Sequence, residues 1–216
     1  MKKEPEFLLA LDVSTSTIGI ALFEDDGTKG VLKLLHHVSP KVKPLPTNKM
    51  EELFRKVEIF EEEFLKNYAN FNITTVVIEE PLLQSNNVYT IATLLRFNGM
   101  ISKSVYDTLG VVPTFISSYD ARKYAFPDLM AVRTFKKDGT ELDAKAIAKN
   151  SPVLFGSYPF DVDKKYVLWE KVAELEPQIT WFFDKKNKLK KETFDMSDSY
   201  VCGLAFFNKR NLEKLT

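Results

Sequence analysis

The sequence predicts an α/β fold: a mixed five-stranded sheet whose first three strands are antiparallel, with helices on both faces. Three observations predict it. Three apolar runs follow one another near the start, the first two joined by a short polar turn that pairs them antiparallel. Helical and strand patterns then alternate, giving the order β-β-β-α-β-α-β and helices packed on the sheet. The chain has 216 residues, and at ~100–200 residues per domain this describes one domain, able to bury a substantial core without disulfides or a structural metal.

Residues 7–13 (FLLALDV) are nearly all apolar, as in a strand covered on both faces. The run ends in Asp12 and a small polar turn, Ser14-Thr15-Ser16-Thr17. Residues 18–23 (IGIALF) read as the second strand, stopped by Asp25-Asp26-Gly27. Residues 30–38 (GVLKLLHHV) are the third, and Pro40, Pro44 and Pro46 mark a loop. Residues 48–68 form a long amphipathic helix in which Leu53, Phe54, Val57, Phe60 and Phe64 follow helical spacing. Six glutamates between Glu51 and Glu63 fall mostly on its other, solvated face.

Residues 74–78 (TTVVI) are a β-branched strand ending at Glu79-Glu80-Pro81. A helix over 87–109, a strand over 111–117 and a short helix over 118–125 follow. Residues 127–161 hold no clear strand, and 141–149 read as a short helix. A helix over 163–175 turns Val167, Leu168, Val172 and Leu175 to one side. A basic run, Lys185-Lys186-Asn187-Lys188-Leu189-Lys190-Lys191, precedes an apolar helix over 193–209.

Lysine plus arginine equal aspartate plus glutamate at 30 each, so the net charge is zero. That excludes a histone-like basic binder and an acidic solvating tail, but not nucleic acid met through locally separated charge. Cys202 is the single cysteine, which forbids an intramolecular disulfide. The adjacent His36 and His37 make no zinc site with it, and a reducing compartment follows. The first residues lack the apolar core of a signal peptide, and no stretch approaches the ~18 apolar residues of a membrane span. A cytoplasmic protein with no membrane partner is expected, or one that acts inside a host cell's cytoplasm.

Acidic residues sit at three element ends. Asp12 closes the first strand, Glu79 the fourth, and Asp195 and Asp198 open the last helix, where i, i+3 spacing sets them on one face. A charge inside an apolar run is costly unless it is paired or binds a metal, and no lysine or arginine adjoins Asp12 or Glu79 in sequence. Converging carboxylates repel, and a hard cation such as Mg²⁺ relieves the repulsion. Two such ions form the clamp used for in-line phosphodiester cleavage. Each acid has a plainer alternative. Asp12 can serve the following turn, Glu79 and Glu80 can be a solvated strand end, and Asp195 can cap its helix with Asp198 at the third position.

The segments LALDVSTSTIGIALFE, VVIEEPLL and DMSDSYVCGLAF together resemble the RuvC-type Holliday-junction resolvases of the RNase H-like superfamily. Asp12, Glu79, Asp195 and Asp198 occupy the positions of that family's catalytic, metal-binding acids. Glu80 falls one place past the family glutamate, and strand alternation points it the other way. Gly99, Arg122 and Lys123 match landmarks in the middle of the chain. The resemblance covers roughly residues 6–126 and 193–208, so the whole chain is expected to be one RNase H-like nuclease domain with a family-atypical insertion at about 127–192. A diverged, longer version of this kind points to a phage or other mobile-element member.

The resemblance implies a structure-specific endonuclease that cleaves branched DNA, four-way junctions above all, as a homodimer. It also implies two Mg²⁺ ions per active site, with Mn²⁺ as a substitute. Other readings stay open. One is an RNase H-like nuclease for flaps or RNA–DNA hybrids, and another is a non-catalytic nucleic-acid adaptor. A third is an actin-like or sugar-kinase-fold ATP-binding protein, because L-D-x-S-T also resembles the phosphate-binding hairpin of that group. Against it, Gly203 is the only glycine after Gly156.

Contacts to DNA would come from Arg122 and Lys123, from Lys185, Lys186, Lys188, Lys190 and Lys191, and from Lys136 and Lys137. The loop after Glu79, with Leu82 and Leu83, either reaches the junction or packs under the next helix. Trp169 and Trp181 either stack on bases or pack among apolar neighbours.

Overall fold

The computed structural model describes residues 4–82, 87–156 and 163–215. Five strands form one sheet: β1 (Glu6–Val13), β2 (Ile18–Asp25), β3 (Gly30–Val38), β4 (Ile73–Glu79) and β5 (Thr114–Ile116). Their order is β3-β2-β1-β4-β5. β3, β2 and β1 are antiparallel, while β4 and β5 run parallel to β1. Side chains alternate across a strand, and β1 sorts its residues between two cores accordingly. Leu9, Leu11 and Val13 join Ile20, Phe60, Phe64, Val76, Ile78, Phe97 and Ile101 on one face. Leu8 and Ala10 join Phe23, Val77, Ala121, Leu168, Val172, Val201 and Phe207 on the other.

The first face is covered by two helical segments. α1 (Lys49–Phe60) continues through a π turn (Glu61–Leu65) into α2 (Lys66–Tyr68). α3 (Val88–Leu109) is N-capped by Asn87 and ended by Gly110 at φ 71°, the left-handed conformation glycine adopts without penalty. The solvated glutamate face of α1 has one exception. Glu52 is buried and held by Lys49 and Lys56 at 2.6 and 2.7 Å. Lys56 also donates to the Thr15 carbonyl at 2.8 Å, tying α1 to the β1–β2 turn. Phe54, assigned to the apolar face by spacing, is exposed instead.

The second face carries α4 (Ser118–Ala125), α6 (Lys164–Leu175) and α7 (Lys191–Glu213). Between α4 and α6 lie a single turn at Pro127–Leu129 and a short antiparallel pair of β6 (Met130–Ala131) with β7 (Val153–Leu154), whose long connection holds α5 (Ala144–Ile147). That strand pair corrects the reading of a strandless segment, and α5 is shorter than the helix expected over 141–149. The strand expected over 111–117 contracts to Thr114–Ile116, since Pro113 cannot donate to a ladder. The last helix is longer than expected at both ends. Leu175, placed on the apolar side of α6, is exposed. Among the described residues, no helix is long and apolar enough to cross a membrane.

Candidate active site

Strand parity delivers the first two carboxylates. Asp12 follows Leu8 and Ala10 on the α7 face of β1, and Glu79 follows Val77 on the same face of β4. Leu11 pairs with Ile78 in the parallel ladder, so Asp12 and Glu79 emerge side by side at the carboxyl ends of adjacent strands. The third comes from α7, which crosses the same face. Its close approach depends on Gly19, the partner of Asp12 in β2. A Cβ on Gly19 would lie 1.9 Å from the Asp195 carbonyl oxygen.

Asp12, Glu79 and Asp198 each present a carboxylate oxygen, and the three lie within 4.8 Å of one another. Asp195, one turn earlier, is outside that group although it is 2% exposed. It does not cap its helix. Lys190 occupies the N-cap position, and Asp195 lies in the second turn with Oδ2 buried and without a hydrogen-bond partner. The β1–β2 turn does not use Asp12 as its clasp either. Ser14 Oγ accepts from the Thr17 amide at 3.1 Å and donates to the Thr17 carbonyl at 2.8 Å. Glu80 is exposed, as alternation requires, and its amide donates to the Ile116 carbonyl.

Burial and crowding raise Asp12, Glu79 and Asp195. Asp12 is held well above its usual value by desolvation first, then by Glu79, Asp198 and Asp195, with Lys165 opposing. Glu79 is pushed up to about 7 by burial and then by Asp198, against the pull of Arg122 and Lys165. Burial likewise raises Asp195 to about 6, opposed by Lys191 and Lys165. Cys202, four residues beyond Asp198 on α7, is buried with its sulfur 3.9 Å from Glu79 Oε2. Burial and then the neighbouring carboxylates push its thiol up, so it is inert as a nucleophile.

Lys165 joins the site without any forewarning in the sequence. Its Nζ donates to Asp198 Oδ2 at 3.1 Å and lies 3.9 Å from Asp195 Oδ1. Desolvation works against this ammonium, but Asp198, Asp12 and Asp195 outweigh it and raise its pKa. No sequence spacing announces a contact across 33 residues. It arises only when α6 docks on α7.

The predicted DNA contacts divide. Arg122 is close enough to act on Glu79 electrostatically, and Lys191 lies 2.5 Å from Ser16 Oγ in the β1–β2 turn and acts on Asp195. Lys123 has its ammonium 5.3 Å from the Tyr124 ring centroid. Lys185, Lys186 and Lys188 occupy an exposed turn beneath the Phe183–Leu189 bridge. The Asp184 carboxylate organises that turn by accepting from the Lys186 and Lys188 amides. Lys190, Lys136 and Lys137 are also exposed. Leu82 is 62% exposed rather than packed under α3, and Leu83 lies outside the described residues. Trp169 and Trp181 pack on each other edge to face at 6.2 Å.

The strand order, the antiparallel-then-parallel pairing and the flanking helices define an RNase H-like fold of the RuvC type. Among solved structures, the chain is similar to "Thermus thermophilus RuvC structure" at 14% identity and a TM-score of 0.50, covering 94% of this chain and 95% of that one. It is also similar to "T. thermophilus RuvC in complex with Holliday junction substrate" at 12% identity and a TM-score of 0.53, with 95% of each chain covered. At such identities the likeness is one of fold. No family model and no curated protein matches the chain.

Proposed function

We propose that this chain is a divalent-cation-dependent endonuclease acting on branched DNA, with four-way junctions as its substrate and a homodimer as its working form. The observation that carries the reading is the convergence of Asp12, Glu79 and Asp198 within 4.8 Å on a RuvC-type sheet. Three clustered carboxylates are a donor set for a hard cation, and the raised pKa values of Asp12 and Glu79 record an unfavourable crowding that such a cation relieves. Asp12, Glu79 and Asp198 would hold it, with Mg²⁺ as the natural ion and Mn²⁺ as a substitute. When bound, the cation supplies Lewis-acid stabilisation of phosphate charge and lowers the pKa of water.

The chain's own residues do the rest. Glu79, with a pKa of about 7, would have to release its proton to hold the cation. Arg122 and Lys191 flank the carboxylates as positive charge for phosphates on either side of the scissile bond. The exposed Lys185, Lys186 and Lys188 turn extends that surface. Exposed Leu82 after β4, with Val88 and Tyr89 in the first turn of α3, offers apolar surface for a second copy, and a two-fold junction needs two symmetric nicks.

Junction cleavage by Asp12→Asn and Asp198→Asn tests the site. Losing several kcal/mol of charge stabilisation lowers the rate by about a thousandfold, while junction affinity in a gel-shift titration stays near that of the parent. Full cleavage by either variant would refute the assignment.

A further inference from the structure

We propose that Lys165 is a built-in counter-cation for the Asp195–Asp198 half of the site. The site then takes one divalent cation, at Asp12, Glu79 and Asp198, where the sequence predicts two. The inference rests on the nuclease reading of those carboxylates and deepens it.

Geometry carries it. The Lys165 ammonium is 3.1 Å from Asp198 Oδ2 and 3.9 Å from Asp195 Oδ1, so it lies against both aspartates. Asp195 does not belong to the group of converging ligand atoms, and its buried Oδ2 has no hydrogen-bond partner. Its negative charge is compensated by the Lys191 and Lys165 ammoniums rather than by coordination. Placing a divalent ion between the two aspartates would set it against a fixed positive charge at close range.

The ammonium is delivered by an anchored element. Asp163 caps α6 by accepting from the Lys165 and Tyr166 amides at 3.1 Å. Leu168 and Val172 are buried in the core that α7 shares. Tyr200 on α7 donates to Glu176 at the far end of α6 at 2.9 Å.

Calorimetric titration of the full chain with Mn²⁺ alone tests the proposal, comparing the parent with Lys165→Met and Lys165→Arg. The parent and Lys165→Arg should bind one Mn²⁺ per chain, and Lys165→Met two. Thermal melts of each variant establish that it is folded. Because the Lys165 side chain is half exposed, its replacement leaves the core intact. Two equivalents in the parent, or one in Lys165→Met, would overturn the role of Lys165 and leave the nuclease reading standing. No binding in the parent would overturn the nuclease reading and this inference with it.

Discussion

Glu79 at about 7 and Asp195 at about 6 keep protons that the same residues in an unfolded chain have already released by about pH 5. Between those limits the folded state binds more protons than the unfolded state, so stability falls as pH rises. Metal-free protein should lose on the order of 3 kcal/mol between about pH 5 and about pH 7.5, read as a falling melting temperature that Mg²⁺ restores. A flat or rising melting temperature across that window would contradict the arrangement. Asp25 has the opposite sign, because the Arg210 guanidinium lowers its pKa, and its contribution is lost only at more acid pH, below this window. Glycine makes a second residue-scale contrast. Gly99 sits in the exposed interior of α3 with nothing within 4 Å of an added Cβ. Gly99→Ala should therefore stabilise by about 0.5–1 kcal/mol in denaturant melts. Gly19→Ala drives a methyl to 1.9 Å from the Asp195 carbonyl oxygen.

That clash makes α7 the element on which the site depends. To accommodate it, α7 must move off β2, carrying Asp198 away from Asp12 and Glu79. Gly19→Ala should destabilise by roughly 1–3 kcal/mol and weaken Mn²⁺ binding in calorimetry. A variant that melts and binds like the parent would show that α7 does not set the site. The same elements explain what the sequence disclosed. The apolar runs of β1, β2 and β4, and the parity that puts Asp12 and Glu79 on one face, depend on local pattern alone. The D-x-x-D spacing fixed the relative placement of Asp195 and Asp198, but not that only Asp198 reaches Asp12 and Glu79. That distinction comes from how α7 seats on Gly19. Lys165 was illegible for the same reason. Leu168 and Val172 announced a buried side of α6 without naming the helix that would cover it, so the residue three positions before Leu168 had no visible destination. Phe54 and Leu175 show the converse, since correct helical spacing left both at the edge of a face where cover ends.

Over the whole molecule, zero net charge hides local separation. The carboxylates are gathered at the strand ends and overlaid by α6 and α7, while Lys185, Lys186 and Lys188 project from an exposed turn just before α7. If that turn tracks phosphates, junction affinity should fall with salt. Replacing the three lysines with alanine should weaken binding and flatten the plot of log affinity against log salt by about 0.9 for each phosphate no longer neutralised. An unchanged slope would remove the turn from the interface. The proposed function places a cation-dependent, junction-directed nuclease site on this RuvC-type fold. Cleavage of an end-labelled four-way DNA junction probes that site directly, with linear duplex and RNA–DNA hybrid alongside, in Mg²⁺ or in EDTA. Paired, symmetric nicks on the junction are expected, abolished by EDTA and by Asp198→Asn. Mg²⁺-dependent cutting confined to duplex or hybrid, or no cutting of any substrate by the folded, Mg²⁺-supplied protein, would contradict it.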